Sequence, residues 1–349
     1  MENWGCVTYR EAKILVQPGS TSESMKRGIA RTVCHELSHQ YFGNLATMEF
    51  WTQLYLKEGV ARYMEFVGID HLFPEWEAWT EFVQSVYTLA LSLDALDTSH
   101  PVEVEVHHPD EISEIFDAIS YAKGASLIRM VASYIGEESF RKGMQIYLQR
   151  FAYNNAVTND LWQALEEAAG GKSIIDFMHP WTSAMGFPIV ILKDDGSFRI
   201  TRFLASGDAS DEDECPWQIP ITIQVQGSKA VEGPFLIGGG NDSSVVSSKL
   251  ASWTEAGKWF KLNVDQTAFC RIGYSTKQRS AIQGVLEPTS SPLTLIDRLG
   301  LISDSFAAGM AGYTSLVDAL KLAQDFGSHD TAGTYDDSPC IFVCRAPCS

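Results

Sequence analysis

His35-Glu36-Leu37-Ser38-His39 constrains this chain more than any other five residues. It sits within Ser24–Tyr41, where apolar residues recur at helical spacing without a proline, so a helix is expected there. On a helix, positions i and i+4 lie one above the other, and both imidazoles can point at one metal ion. Glu36, beside the first of them, projects close enough to touch a water on that ion without being a ligand itself. A second expected helix, Leu54–Val67, carries Glu58. The interval between His39 and Glu58 allows one turn and an antiparallel return, which brings that carboxylate back over the histidine pair. Two His and one Glu form a recognised catalytic zinc set that keeps a position open. The ion lowers the pKa of a bound water towards about 7, and a carboxylate can take that proton as the water attacks a carbonyl. One Zn2+ per chain on His35, His39 and Glu58 is therefore the expected cofactor.

The rest of the chain divides by pattern. Residues 1–187 read as mainly helical after a short extended start. Further helices are expected over Glu75–Leu91, Ser120–Tyr134, Glu138–Phe151 and Asn159–Ala169, with Gly170-Gly171 as a stop. Beyond Gly186-Phe187-Pro188 come short β-branched runs between turn signals: Ile189–Leu192, Phe198–Phe203, Pro220–Val225, Trp259–Val264 and Phe269–Tyr274. That pattern predicts an all-β sandwich over 188–277. From 278 to 327 it turns helical again, as the beginning of a further helical domain. Residues 328–349 have no such period. The expected fold class is multidomain α+β: a mainly helical domain, a β-sandwich, then the start of an α domain. A length of 349 residues, at roughly 100–200 per domain, suits two domains and a piece.

Charge removes several partners. There are 26 Lys+Arg against 44 Asp+Glu, a formal net charge of −18. Nucleic acid needs a basic footprint, and so does docking on anionic lipid, so neither partner is expected. No run approaches the roughly 18 apolar residues of a membrane span. The start lacks the basic and apolar regions of a signal peptide. Seven cysteines is an odd number, and Cys6, Cys34, Cys215 and Cys270 lie far apart. That usage suits reduced thiols and a cytoplasmic location. The spacing of Cys340, Cys344 and Cys348 fits no zinc ribbon or finger. Gly238–Asp242 lacks the following helix a phosphate site needs and is expected to be a turn. His107-His108 is expected in a loop, and Asp208–Glu214 as a solvated acidic loop.

Five segments in one order carry a specific resemblance: Met1-Glu2-Asn3-Trp4-Gly5, His35-Glu-Leu-Ser-His-Gln-Tyr-Phe-Gly-Asn44, Glu58-Gly59, Tyr121-Ala-Lys-Gly-Ala125 and Trp181…Met185-Gly-Phe-Pro188. Together they resemble the gluzincin aminopeptidases of the M1 family, most closely its puromycin-sensitive members, over about residues 1–327. The resemblance implies a thermolysin-like catalytic domain and hydrolysis of the N-terminal peptide bond of peptides with a free N-terminus. It also implies Zn2+ as cofactor, Glu36 as general base and Tyr121 as the donor to the oxyanion. Glu2 would bind the substrate's α-ammonium, and Met1 would lie near the pocket for the first residue. These roles make physical sense. A carboxylate recognises an ammonium by charge and hydrogen bonding together. A phenol aimed at a developing alkoxide is typically worth about 3 kcal/mol.

Three departures qualify the resemblance. Met1-Glu2-Asn3 match only the last three residues of the family's Gly-Ala-Met-Glu-Asn motif, which suggests a chain truncated at its start. Its own α-ammonium is then expected beside Glu2, in competition with a substrate. Lys57 stands where the family has Asn, and its cation is expected to compete for Glu58. Finally, Gly327–Ser349 does not resemble the family, which suggests truncation at the end as well. Two further functions fit the same residues: an epoxide hydrolase like leukotriene A4 hydrolase, and a catalytically impaired truncated form that acts as a binding partner.

Overall fold

A computed structural model describes residues 1–207, 215–239, 242–286 and 291–327. Asp208–Glu214, Gly240, Asn241 and the tail with Cys340, Cys344 and Cys348 lie outside them, so the expectations placed there are not addressed.

The first 22 residues hold only a short 3-10 turn at Glu11–Lys13. Helix α1 (Glu23–His39) then starts at Ser22, whose hydroxyl accepts from the Met25 amide at 3.2 Å. This cap satisfies one of the first-turn donors that have no partner inside the helix. Strand β1 (Ala46–Met48) and a 3-10 segment at Trp51–Leu56 bring the chain round to α2 (Glu58–Leu72). There α2 packs along α1 and buries Val60, Tyr63, Phe66 and Ile69 together with Glu58 and Glu65. Next come α3 (Ala78–Phe82), a π turn at Val83–Tyr87, and α4 (Thr88–Asp94). A second π turn, Ile119–Lys123, opens into α5 (Gly124–Ile135), which is buried along most of its length. After α6 (Glu137–Arg150), strand β2 (Asn154–Ala156) pairs in parallel with β1, Ala46 opposite Asn154. Both strands have only three residues, too few for a readable alternation. Helices α7 (Thr158–Ala168) and α8 (Ile174–Ser183) complete this part.

Helix α2 and the start of α5 approach each other closely. A Cβ on Gly59 would sit 3.0 Å from the Gly124 Cα, so two glycines let the backbones meet. That contact sets Glu58, one residue before Gly59, against the π turn that carries Tyr121.

The strand region holds β3 (Pro188–Leu192), β4 (Phe198–Arg202), β5 (Gln218–Val225), β6 (Glu232–Gly238), helix α9 (Ser243–Glu255), β7 (Phe260–Leu262) and β8 (Arg271–Gly273). The strands form two three-stranded sheets, ordered β4-β3-β8 and β6-β5-β7. In the first, β3 runs antiparallel to β4 and parallel to β8. In the second, β5 is antiparallel to both neighbours. Ile219, Ile221 and Ile223 alternate along β5 and are fully buried.

Helix α9 corrects the all-β reading of 188–277. Val245 and Val246 at its start carry strand propensity, but Val246, Leu250 and Thr254, spaced four apart, are the residues it buries. The expectation that no helix follows Gly238–Asp242 is corrected by the same element. The described ends of this segment, Gly238 and Asp242, are fastened by side chains. Asp242 accepts from the Leu236 amide at 2.8 Å, and the Ser243 hydroxyl accepts from the Gly238 amide at 3.2 Å.

Helices α10 (Thr276–Gln283), α11 (Leu295–Met310) and α12 (Leu316–Gly327) follow. Asp304 of α11 pins β8, accepting from Arg271 Nη1 at 3.0 Å and from the Ile272 amide at 3.2 Å. Buried apolar residues form one connected cluster from Phe42 to Leu322. The boundaries we propose at 187/188 and 277/278 are therefore changes of pattern within a shared core.

Candidate metal centre and catalytic site

Helices α1 and α2 bring His35, His39 and Glu58 together as their spacing predicts. The two Nε2 atoms are 3.1 Å apart, and Glu58 Oε2 lies 3.4 Å from one and 3.2 Å from the other. Ligand bonds of 2.0–2.2 Å in a tetrahedral shell set donor atoms about 3.3 Å apart. The triangle has the size that a zinc ion requires. Glu58 Oε2 is also buried without a hydrogen-bond partner, close as it lies to both rings. Such an acceptor costs roughly 1–3 kcal/mol unless a cation takes it up. The residues therefore fit the group.

The surroundings orient these donors. With its proton on Nδ1, His39 donates to the Phe42 carbonyl at 3.1 Å, which leaves the Nε2 lone pair for a metal. Glu65, almost fully buried, sets Oε2 3.1 Å from His35 Nδ1. Its other oxygen accepts from Arg31 at 3.0 Å and Arg62 at 2.8 Å. Burial disfavours a charged His35, yet Glu58 and Glu65 outweigh it and push the imidazole up to about 9. The same negative field favours a metal cation. Burial would raise the Glu58 carboxyl, but the two histidines and Lys57 hold it well below the usual range.

Glu36, next to His35 in sequence, is not among the donors of this triangle. Its Oε2 lies 3.1 Å from the Met1 nitrogen. The expectation that this nitrogen sits beside Glu2 is thereby corrected, because Glu2 is already taken. Lys57 Nζ is in direct contact with Glu2 Oε1 and lies 3.5 Å from Glu58 Oε1. As expected, Lys57 pairs with Glu58, but it does so through Oε1, whereas both histidines face Oε2. Gln40 and Asn44, one and five residues past His39, fasten the leading segment. Asn44 Nδ2 donates to the Glu2 carbonyl at 2.6 Å and Gln40 Nε2 at 3.3 Å. Met1 itself is exposed.

Tyr121 comes from the second π turn, a helix irregularity frequent at functional sites. Its ring stacks along His35 with centroids 6.3 Å apart. Burial, and then the charge of Glu58, raise its hydroxyl well above the ordinary phenol range, so it holds its proton as a donor. Asp117 shapes the turn, accepting from the Ile119 amide at 2.9 Å and the Ser120 amide at 3.0 Å. Lys123, fully buried, ties the turn to Asp94 at 2.8 Å and to the Gly186 carbonyl at 3.0 Å. His107 and His108 are exposed, remote in sequence from the helices of the metal triangle, and lie just before a 3-10 turn at Pro109–Ser113, of which His108 is the N-cap.

Comparison with known proteins agrees with this geometry. The family model described as the peptidase family M1 domain matches residues 1–181. The chain belongs to the peptidase M1 family. A second model, the ERAP1-like C-terminal domain, matches residues 259–333. Aminopeptidase M1-A of Oryza sativa subsp. japonica is 43% identical over 325 residues, covering 92% of this chain and 36% of that protein. Aminopeptidase M1 of Arabidopsis thaliana is 42% identical over 337 residues, with 93% and 37% covered. The puromycin-sensitive aminopeptidase of Caenorhabditis elegans is 40% identical over 338 residues, with 95% and 35% covered. The chain thus spans little more than a third of the length of these relatives.

Within this M1 chain, sequence reasoning missed Glu65, Asp94 and the roles of Lys123, Gln40 and Asn44. Glu65 did leave a signal, for it lies seven residues after Glu58 and so two turns along the same face of α2. Asp94 left none, because its partner Lys123 is remote in sequence. Among the described residues, no helix is long and apolar enough to cross a membrane.

Proposed function

We propose that this M1 chain is the zinc-binding core of an aminopeptidase that hydrolyses the N-terminal peptide bond of peptides with a free N-terminus. The observation that carries the reading is the buried donor triangle, with Glu36 next to His35 in sequence. A zinc ion held by His35, His39 and Glu58 would supply Lewis acidity, polarising the scissile carbonyl and acidifying water. Glu36 takes the proton of the attacking water and returns it to the leaving amine. The Tyr121 hydroxyl donates to the oxyanion as negative charge develops there. Glu2 receives the substrate's α-ammonium, which fixes cleavage one residue from the end, and Met1 borders the pocket for that residue. The relatives named above, all aminopeptidases, support this assignment.

The test is turnover of an amino-acyl arylamide by the zinc-loaded chain. Activity that a chelator abolishes and added zinc restores is the expected result. A fully zinc-loaded chain that leaves a panel of such arylamides intact would overturn it.

A further inference from the structure

Glu2, the acid read above as the receiver of the substrate's ammonium, already has a cation of its own. Lys57 comes from the residue just before α2, and its ammonium touches Glu2 Oε1. The same nitrogen is 3.5 Å from Glu58 Oε1, so one cation bridges the amine-binding acid and a metal ligand. The placement is built in. Both partners are shielded, with side-chain exposures of 17% for Lys57 and 12% for Glu2. Gly43 makes room for the lysine stem, since a Cβ there would meet Lys57 Cγ at 2.9 Å. On the other side, Asn44 and Gln40 hold the Glu2 carbonyl and so keep its carboxylate in reach. Glu2 therefore does not wait as a free anion.

We propose that Lys57 is a specificity-determining residue: it occupies the place of a substrate ammonium on Glu2 and so weakens the preference of this site for peptides with a charged N-terminus over N-blocked ones. The inference rests on the reading of Glu2 given above and names the substrate class that this site would take. A substrate ammonium must displace Lys57 from Glu2, or share the carboxylate against a like charge close by. Either way, part of the charge-assisted hydrogen bond is lost. An acetylated N-terminus carries no charge and forfeits nothing to Lys57. Free and acetylated ligands thus come closer in affinity than an unpaired Glu2 would allow.

The experiment uses the zinc-loaded 349-residue chain and two probes, L-leucine hydroxamate and its N-acetyl form, with affinities from calorimetry. The parent should bind the two within about threefold of each other. Lys57→Gln keeps the stem and removes the charge, and it should improve binding of the free-amine form about tenfold while leaving the acetylated form unchanged. Lys57→Arg keeps the charge and should keep the parent ratio, which covers the case of a poorly folded Gln variant. A ratio that moves less than threefold in Lys57→Gln, or moves as far in Lys57→Arg, overturns the proposal, as does loss of all binding in a folded Lys57→Gln. Failure of the aminopeptidase reading looks different. Leucyl arylamide would then stay intact in parent and variant alike while the hydroxamates still bind.

Discussion

Around the metal triangle, α2 and the turn before α5 bury Glu58, Glu65 and Lys123 with Asp94. At the centre of the strand region, β5 and β7 bury Ile219, Ile221, Ile223, Phe260 and Leu262. The two regions share one apolar cluster yet differ in how much buried charge they carry. Each of these five side chains removes apolar surface from water and needs no particular partner, whereas Lys261 between the last two is buried on the Leu262 and Asn263 carbonyls and near Asp297. Around the triangle, each buried charge needs a specific counter-charge, and removing one partner strands the other. Glu58 Oε2 has the two imidazoles within 3.4 Å but no hydrogen-bond partner of its own. The site region thus depends on paired charges, and the strand region mainly on apolar burial. Substitutions in the two places should therefore fail in different ways.

The largest effect tests the site half of that contrast. His35→Ala or Glu58→Ala should drop bound zinc well below one per chain and bring turnover to the chelator-treated background. Glu36→Gln should keep zinc at the parent level while kcat falls about 10²–10⁴-fold. Metal analysis beside kinetics separates the two losses. Equal zinc loss in all three variants would make Glu36 part of the metal shell and end the distinction drawn here.

Tyr121→Phe deletes one hydroxyl and little packing. Zinc content and folding should hold while kcat falls about 10²–10³-fold. If kcat stays within a few-fold of the parent, Tyr121 belongs with the packing residues and the contrast weakens at that point.

Ile221→Ala probes the other region. Truncating this fully buried side chain should cost about 2–5 kcal/mol in denaturant unfolding. The fraction that stays folded should bind zinc and turn over substrate as the parent does. Weaker zinc affinity in that fraction would show that the strand region also shapes the site.

The smallest effect is a pH dependence next to the Tyr121 turn. The hydrogen bond from His100 Nε2 to Asp117, at 2.7 Å, raises the imidazole above its ordinary value despite burial. A raised folded-state pKa contributes stability that is fully present below about pH 6.5, the unfolded value, and is lost as pH rises through the folded value. His100→Gln should erase that part of the stability–pH curve, an effect under about 1 kcal/mol for this half-buried pair. Thermal unfolding at pH 6 and pH 9 measures it, and an unchanged difference between the two pH values would rule it out.

Much of the site was legible because its periodicity is local. His35 and His39 at i and i+4, and Glu58 one antiparallel return away, follow from helix geometry alone. Most helix positions along 1–187, though not α8, and most strands after 188 were readable for the same reason: apolar spacing reports which face is buried. Helix α9 was not, since its first turn carries strand-favouring residues and only burial of Val246 and Leu250 reveals the helical face. The short pair β1 and β2 gave too little pattern to detect.

The sequence by itself determined which residues could meet at one ion, because helical spacing allows few alternatives for two histidines four apart. Tertiary structure alone decided how charge is shared around them. Lys57 could have faced either oxygen of Glu58, and it lies on Oε1 and on Glu2. Lys123 could have reached solvent, and it is buried on Asp94. No local rule reads such pairings, because a long flexible cation goes where burial and the nearest uncompensated carboxylate send it, and both are set by segments remote in sequence.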